Sequence, residues 1–226
     1  MFFAGICAGG TGRRFGGDVP KQFLQLKGKP VIMHSVEAFL QWGRAERIFV
    51  AVSAEWLEHC RKLLAQYDSV DVIEGGADRG ETVEKLAEAA LAAGGSDGDI
   101  IATHDAARPF IAPDVIERCA AAAEEYGVSG TAVPAADTVL QCRNGVVVAA
   151  PARSEMFLAQ TPQCFRLGLF RKAWSRLSDS EKAAATDVCG MFYRAGVDVR
   201  IVDGAGECFK ITTEEDLKRA EQMQTG

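Results

Sequence analysis

The sequence predicts an α/β protein with a Rossmann-like, mostly parallel twisted sheet that is flanked by helices. Short apolar runs alternate with longer segments of helical periodicity, and this alternation is typical of a parallel sheet covered on both faces. The length of 226 residues fits one large domain with an elaboration better than two full domains. We therefore expect one domain over residues 1–226, with its ligand-binding loops at the carboxyl ends of the strands.

The first half of the chain alternates regularly. Strands are predicted at 2–8, 47–53, 70–74 and 99–104, and helices at 30–42, 54–67, 81–93 and 112–126. In the first helix, Ile32, Val36 and Phe39 fall on one face, which predicts that this face packs against the sheet.

The pattern changes after Gly127. Short strand-like pieces are predicted at 130–134, 138–142 and 146–150, and Asn144-Gly145 is a strong hairpin signal. We expect a β-arm that projects from the sheet over residues 135–160. Helices are predicted again at 167–177, at 181–196 and from 213 onward, with a strand at 197–202.

The charge balance disfavours nucleic acid as a partner. The net charge is −6, whereas a protein that neutralises many backbone phosphates needs a basic face. Residues 1–30 nevertheless contain five basic residues and only Asp18 as an acid. A local positive charge on an acidic protein suits a small anion.

The cysteines and the apolar runs indicate the compartment. Seven cysteines are dispersed without any C-x-x-C pair, which favours free thiols in a reducing environment. No run of 18 apolar residues occurs, so no membrane span is predicted, and the apolar start lacks the preceding positive charge of a signal peptide. We expect a cytoplasmic protein.

A glycine-rich loop, AGGTGRR at 8–14, follows the first strand directly. Its three glycines let backbone N–H groups face a bound anion, and Arg13, Arg14 and then Lys21 add cations suited to phosphate oxygens. The alternative is a surface turn with solvated charges. A Walker A loop is absent, and the dinucleotide fingerprint fails at Phe15, where glycine or alanine is needed.

Four blocks give the sequence a family resemblance. Ala8-Gly9-Gly10-x-Gly12-x-Arg14 with Pro20-Lys21-Gln22 resembles the opening of the cytidylyltransferases that activate sugar-alcohol phosphates. The other blocks follow in the family's order: His104-Asp105-Ala106-Ala107-Arg108-Pro109, Gln160-Thr161-Pro162-Gln163 and Lys210-Ile211-Thr212. Together they cover nearly the whole chain.

The resemblance implies transfer of CMP from CTP to a polyol phosphate, with release of pyrophosphate. A phosphate oxygen of the acceptor attacks the α-phosphate, and positioning and electrostatics supply the catalysis. The implied catalytic cations are Arg14, Lys21, Arg153 and Lys210. Mg²⁺ is expected to be held by the triphosphate with few protein ligands, with Asp105 as a weak candidate ligand and His104 as a packed residue.

The resemblance also implies two sets of binding residues. The CTP set is Ala8, Gly9, Gly10, Gly12, Gly76, Ala77, Asp78, Arg79 and Thr82, with Thr82 expected to begin the next helix. The acceptor set is Asp105, Arg108, Thr138, Arg153, Thr161, Thr186 and Lys210. The arm is expected to cross the interface of a homodimer, so that Arg153 serves the neighbouring subunit. Cys208 stands where the family usually has asparagine.

Two acceptors fit the resemblance, and three features favour D-ribitol 5-phosphate, which gives CDP-ribitol for teichoic acid or capsule. These features are Ala77, the segment Arg153-x-Glu155-Met156 and the long connection over 177–189. The alternative acceptor is 2-C-methyl-D-erythritol 4-phosphate, of isoprenoid biosynthesis.

Two other classes remain open at this point. A nicotinamide-dependent oxidoreductase would need an acidic residue after the second strand, where Ser53 and Ala54 stand. An inactive nucleotide-binding module would show the glycine loops without the four cations together.

Overall fold

The computed structural model describes residues 1–10 and 19–223. The strands of this part are β1 (Phe2–Cys7), β2 (Gln25–Leu26), β3 (Lys29–Pro30), β4 (Ala45–Val52), β5 (Val70–Glu74), β6 (Ile100–Asp105), β7 (Val128–Pro134), β8 (Gln141–Arg143), β9 (Val146–Ala149), β10 (Phe157–Arg166) and β11 (Arg200–Asp203). The α-helices are α1 (Val31–Trp42), α2 (Leu57–Leu64), α3 (Arg79–Ala92), α4 (Pro113–Tyr126), α5 (Leu167–Trp174), α6 (Asp179–Ala183), α7 (Val188–Arg194) and α8 (Glu214–Gln222). Short 3₁₀ turns lie at Lys21–Phe23, Ala54–Trp56 and Arg153–Glu155.

Seven of the described strands form one sheet, in the order β11-β7-β10-β6-β1-β4-β5. The pairs β1–β4, β1–β6, β4–β5 and β7–β11 are parallel, and only β10 runs antiparallel to its neighbours β6 and β7. The predicted Rossmann-like, mostly parallel sheet is therefore confirmed.

Helices cover both faces of the sheet. On one face, Phe39 of α1, Leu64 of α2 and Ile116 of α4 pack against inward-facing strand residues such as Ile6. The other face is covered by α3, α5 and α7, in a second buried cluster. The predicted apolar face of α1 is thus the face that it buries, and burial of such side chains stabilises the fold by about 2 kcal/mol each.

The strand order reverses between β1 and β6. From β1 the chain passes to β4 and β5 on one side, and it returns to β6 on the other side of β1. The last residues of these two strands, Cys7 and Asp105, are register partners. Ligands of open α/β sheets bind in the crevice outside such a switch point, so this edge is the place to seek the functional site.

The ten-residue strand β10, at Phe157–Arg166, was not predicted from the sequence. Its middle reads Gln160-Thr161-Pro162-Gln163, which has neither alternation nor an apolar run, and its ladder with β7 is interrupted between Ala159 and Gln163. The helix predicted at 181–196 is instead two helices, α6 and α7, because Asp187 caps a new helix start by accepting from Gly190 N–H at 2.7 Å.

A hairpin of β8 and β9 lies within the predicted arm. Asn144 and Gly145 both have positive φ values, 50° and 78°, as the two-residue hairpin turn requires. Every residue of the two strands is exposed. Within the described residues, no helix is long and apolar enough to cross a membrane.

Candidate active site

A cleft of about 570 Å³ opens at the carboxyl ends of β1, β5 and β6. Twelve of the predicted site residues line it: Ala8, Gly9, Gly10, Lys21, Gly76, Ala77, Asp78, Arg79, Thr82, Asp105, Thr186 and Lys210. These residues come from segments far apart in the chain, and they meet because the parallel strands end at one edge of the sheet. The predicted residues Gly12, Arg13 and Arg14 lie outside the described residues.

The glycine loop after β1 is held by a buried glutamine whose role the sequence did not predict. The side-chain amide of Gln22 donates to the carbonyl of Ala8 at 2.6 Å and to that of Gly10 at 3.2 Å. A Cβ added to Gly9 or Gly10 would meet no described atom within 4 Å. Packing against residues 1–10 and 19–223 therefore does not require glycine at these two positions, which leaves the backbone here open to the cleft.

The loop after β5 is held from within. Thr82 Oγ1 accepts from Gly76 N–H at 3.0 Å and donates to the carbonyl of Asp78 at 2.7 Å. A Cβ on Gly76 would lie 2.4 Å from the Cβ of Glu81, so only glycine fits there. The helix begins at Arg79, and Asp78 is its N-cap, accepting from Glu81 N–H at 2.9 Å. Thr82 was expected to begin this helix, but the helix starts three residues earlier, at Arg79, and Thr82 lies in its first turn, from which its hydroxyl bonds the loop.

Three cations surround the carboxylate of Asp105. Arg79 Nη1 lies 2.5 Å from Oδ1, Lys210 Nζ lies 2.8 Å from Oδ2, and Arg108 Nε lies 3.5 Å from Oδ2. Burial alone would raise the pKa of Asp105, but Arg79, Lys210 and Arg108 outweigh it and hold that pKa well below its usual range. Three cations share one anion, so this group keeps an excess of positive charge in an acidic protein.

His104 is fully buried and takes part in a relay of hydrogen bonds beneath the cleft. Its Nδ1 lies 2.9 Å from Thr161 Oγ1, and its Nε2 lies 3.1 Å from the carbonyl of Arg108. Burial lowers the pKa of His104 to about 4, so the ring is neutral at physiological pH. The histidine is thus a packed residue, as expected.

Four predicted acceptor residues do not line the cleft of this chain. Thr161 is buried behind it, where its hydroxyl bonds His104 and accepts from Asp105 N–H at 3.1 Å. Arg108 lies beside Asp105 and donates to the carbonyl of Cys208 at 2.8 Å. Thr138 and Arg153 are exposed on the arm, where Arg153 Nη1 donates to the carbonyl of Ala136 at 3.3 Å.

The expected weak metal ligand, Asp105, is engaged by cationic side chains in this structure. Both of its oxygens are in ion pairs with cationic side chains, which compete with any metal ion. Over residues 1–10 and 19–223, no group of three or more His, Cys, Asp or Glu side chains is placed to hold a metal. The described part of the cleft therefore provides no protein cage for Mg²⁺.

Solved structures of similar sequence share this fold over nearly the whole chain. The cytidylyltransferase of 2-C-methyl-D-erythritol 4-phosphate from Francisella tularensis is 29% identical, with a TM-score of 0.80 and 97% of each chain covered. The same enzyme from Thermus thermophilus is 27% identical, with a TM-score of 0.75 and 98% of each chain covered. A 4-diphosphocytidyl-2C-methyl-D-erythritol synthase is 27% identical, with a TM-score of 0.79 and 97% of each chain covered.

The fold, the basic cleft and these similarities define a CTP-dependent nucleotidyltransferase, as the sequence resemblance implied. The sequence profile of one family matches residues 3–225. The chain belongs to that family, the 2-C-methyl-D-erythritol 4-phosphate cytidylyltransferases. The preference for ribitol 5-phosphate is not supported, because family and neighbouring structures favour the alternative acceptor.

Proposed function

We propose that the protein transfers CMP from CTP to 2-C-methyl-D-erythritol 4-phosphate and releases pyrophosphate. The observation that carries this choice of acceptor is the match of the family profile to residues 3–225, which include all the described lining of the cleft.

The reaction needs two anions to meet and the charge on the reacting phosphorus to be stabilised. A phosphate oxygen of the acceptor attacks the α-phosphorus of CTP while the bond to the leaving pyrophosphate breaks, and no protein nucleophile is needed. Lys21, close in sequence to the glycine loop, serves the triphosphate, and Lys210, which is paired with Asp105, serves the acceptor phosphate. A preorganised cation of this kind contributes a factor of about 10² to 10³ in rate.

In this proposal the divalent ion, Mg²⁺, would be supplied as its complex with CTP. It would neutralise part of the triphosphate charge and would need few ligands from the protein, since Mg²⁺ usually keeps several waters and binds substrate phosphates. The seven free cysteines support function in the reducing environment of the cytoplasm.

The active form in this proposal is a homodimer that exchanges arms. Six large apolar side chains of the arm region are at least half exposed: Leu140, Val146, Val147, Val148, Phe157 and Leu158. An isolated two-stranded hairpin is marginally stable, and exposed apolar clusters of this kind are typical of protein interfaces. Arg153 and Thr138 would then reach the partner's cleft.

The acceptor is tested by incubating the protein with CTP, Mg²⁺ and either polyol phosphate while pyrophosphate is measured. We expect release with 2-C-methyl-D-erythritol 4-phosphate at a kcat/KM far above that with D-ribitol 5-phosphate. Release with ribitol 5-phosphate alone would contradict the proposed acceptor.

Arm exchange is tested by mixing subunits. Arg153→Ala and Lys21→Ala chains are each expected to be inactive, whereas the mixed dimer regains activity because one of its two sites is intact. Mixing each variant with itself is the control. If the heterodimer forms but stays inactive, the two residues do not act in trans.

A further inference from the structure

Three polar side chains of β10 are buried beneath the cleft without lining it. Gln160, Thr161 and Gln163 are 6%, 4% and 1% exposed, in the middle of the sheet. Burial of such groups is costly unless each finds hydrogen-bond partners, so the identity of the partners is informative. Each of the three bonds a different segment that carries a residue of the cleft.

Gln160 holds the segment that leads to Lys210. Its Nε2 donates to the carbonyl of Ala205 at 2.9 Å, and its Oε1 accepts from Ala205 N–H at 3.1 Å. The amide therefore pairs with both backbone groups of one residue, as a neighbouring strand would. A Cβ on Gly204 would lie 2.2 Å from this Oε1, so the glycine permits the close approach.

Thr161 holds the turn that carries Asp105. Because Asp105 N–H donates to Thr161 Oγ1, the hydroxyl proton is left to donate to His104 Nδ1. The proton of the neutral histidine is then on Nε2, which donates to the carbonyl of Arg108. A single chain of bonds thus runs from Thr161 through His104 and closes the turn over 105–108.

Gln163 holds the segment that carries Thr186. Its Oε1 accepts from Val188 N–H at 2.8 Å, and its Nε2 donates to Asp187 Oδ2 at 3.3 Å. Asp187 is the N-cap of α7, and Thr186 immediately before it lines the cleft. The glutamine therefore fixes the start of this helix against the sheet.

We propose that Gln160, Thr161 and Gln163 are positioning residues. From within the sheet, each one holds a segment that carries a residue of the cleft. These cleft residues are Lys210, Asp105 and Thr186, respectively. The proposal rests on the transferase function proposed above. The glycine loop and the loop after β5 are held separately, by Gln22 and Thr82, so the proposal assigns β10 to one side of the cleft only. A displacement of reacting groups by about 1 Å can cost about a hundredfold in rate.

The first test compares Thr161→Val, which replaces the hydroxyl by a methyl group of similar size, with Thr161→Ser, which keeps the hydroxyl and loses the methyl group. Ser129→Ala is the matched control, because Ser129 is as deeply buried and donates to the carbonyl of Cys119, away from the cleft. We expect kcat to fall about a hundredfold in Thr161→Val, with the affinity for CTP unchanged, and to recover in Thr161→Ser. A kcat that falls no further in Thr161→Val than in Ser129→Ala would overturn the proposal.

The second test needs no substrate and so separates this proposal from the proposed function. Amide hydrogen exchange is measured on folded Thr161→Val, Gln160→Met and Gln163→Met, since methionine keeps the length and burial of glutamine. We expect faster exchange at Asp105, Ala205 and Val188 respectively, each in its own variant only. Unchanged exchange at these amides would overturn the proposal, even if the wild-type enzyme is active. Inactivity of the wild type with both acceptors would instead count against the proposed function alone.

Discussion

The ammonium group of Lys210 lies 2.8 Å from a carboxylate oxygen of Asp105, although 105 positions separate the two residues in the chain. The carboxylate thereby holds a flexible cation at the cleft before any phosphate arrives. Such preorganisation matters because a cation that is already in place needs no rearrangement when charge develops in the transition state. The same oxygen, Oδ2, also pairs with Arg108, and the other oxygen, Oδ1, pairs with Arg79, so the carboxylate of Asp105 holds all three cations.

Removal of the Lys210 charge is expected to abolish most of the activity without unfolding the protein. Lys210→Ala should lower kcat about a hundredfold, because one preorganised cation is lost from the reacting phosphates. Steady-state kinetics checks this, with Lys218→Ala on the exposed side of α8 as the control. Equal kinetics of the two variants would contradict a catalytic role for Lys210.

Removal of the shared anion is expected to act on stability. Asp105→Asn leaves Arg79, Arg108 and Lys210 without their buried counter-ion, and loss of one partner of a buried ion pair costs about 3 to 5 kcal/mol. Urea denaturation measures the loss in the free energy of unfolding. Asp114→Asn, which breaks an exposed pair with Arg118, is the control and should cost under about 1 kcal/mol. A loss as small as the control's would show that the buried cations do not depend on Asp105.

Two glycines of the cleft are expected to respond in opposite ways to alanine. Gly9→Ala should leave stability unchanged, because its Cβ meets no described atom, but it should weaken CTP binding by obstructing the backbone. Gly76→Ala should lower stability, because its Cβ would overlap Glu81. Thermal unfolding and calorimetric titration with CTP distinguish the two. Tight CTP binding by Gly9→Ala would argue against a phosphate-binding loop at this position.

The stability of the protein should fall as the pH falls, in part because of His104. Burial lowers the pKa of His104 in the folded state to about 4. Between about pH 6.5 and 4 the histidine is therefore protonated in the unfolded chain but neutral in the folded one. The contribution of His104 to the free energy of unfolding is therefore fully present above about pH 6.5, and it falls by on the order of 3 kcal/mol towards pH 4. Denaturation at several pH values should show a shallower slope for His104→Gln than for the surface control His59→Gln. Identical slopes would contradict the burial of a neutral His104.

Cys208 is expected to resist replacement by the family's usual asparagine. Its side chain is fully buried, and its Sγ lies 3.5 Å from the carbonyl of Thr161. An asparagine there would bury an amide N–H₂ group and a carbonyl oxygen. Each buried donor or acceptor that stays unpaired costs about 1 to 3 kcal/mol. Cys208→Ala is the control, and urea midpoints should rank alanine above asparagine. The reverse ranking would show that the site accommodates the amide.

Local sequence patterns were sufficient to predict much of the fold and the glycine loops that line one part of the cleft. Alternating apolar runs predicted β1, β4, β5 and β6 to within about two residues, and the glycine loops after β1 and β5 line the cleft as expected. These features depend on near neighbours in the chain, which is what a local pattern records.

The remainder depended on distant partners. Gln163 could not be predicted to lie in a buried strand, because its side-chain oxygen finds its hydrogen-bond donor in the backbone N–H of Val188, 25 positions away. Gln22 gained its role only from the carbonyls of Ala8 and Gly10. Thr161 was assigned to the acceptor, whereas in the fold its hydroxyl lies behind the cleft and bonds the ring of His104 and the backbone N–H of Asp105. In each case a buried polar group meets its partner only in the folded sheet.

Of the seven cysteines, Cys142 alone is exposed, and it lies in β8 at the projecting hairpin. A maleimide fluorophore would therefore attach there in preference to the five buried or half-buried thiols whose pKa is raised by burial, those of Cys7, Cys60, Cys164, Cys189 and Cys208. If the protein forms the proposed homodimer, donor- and acceptor-labelled batches that are mixed would report the rate of subunit exchange through energy transfer between the dyes.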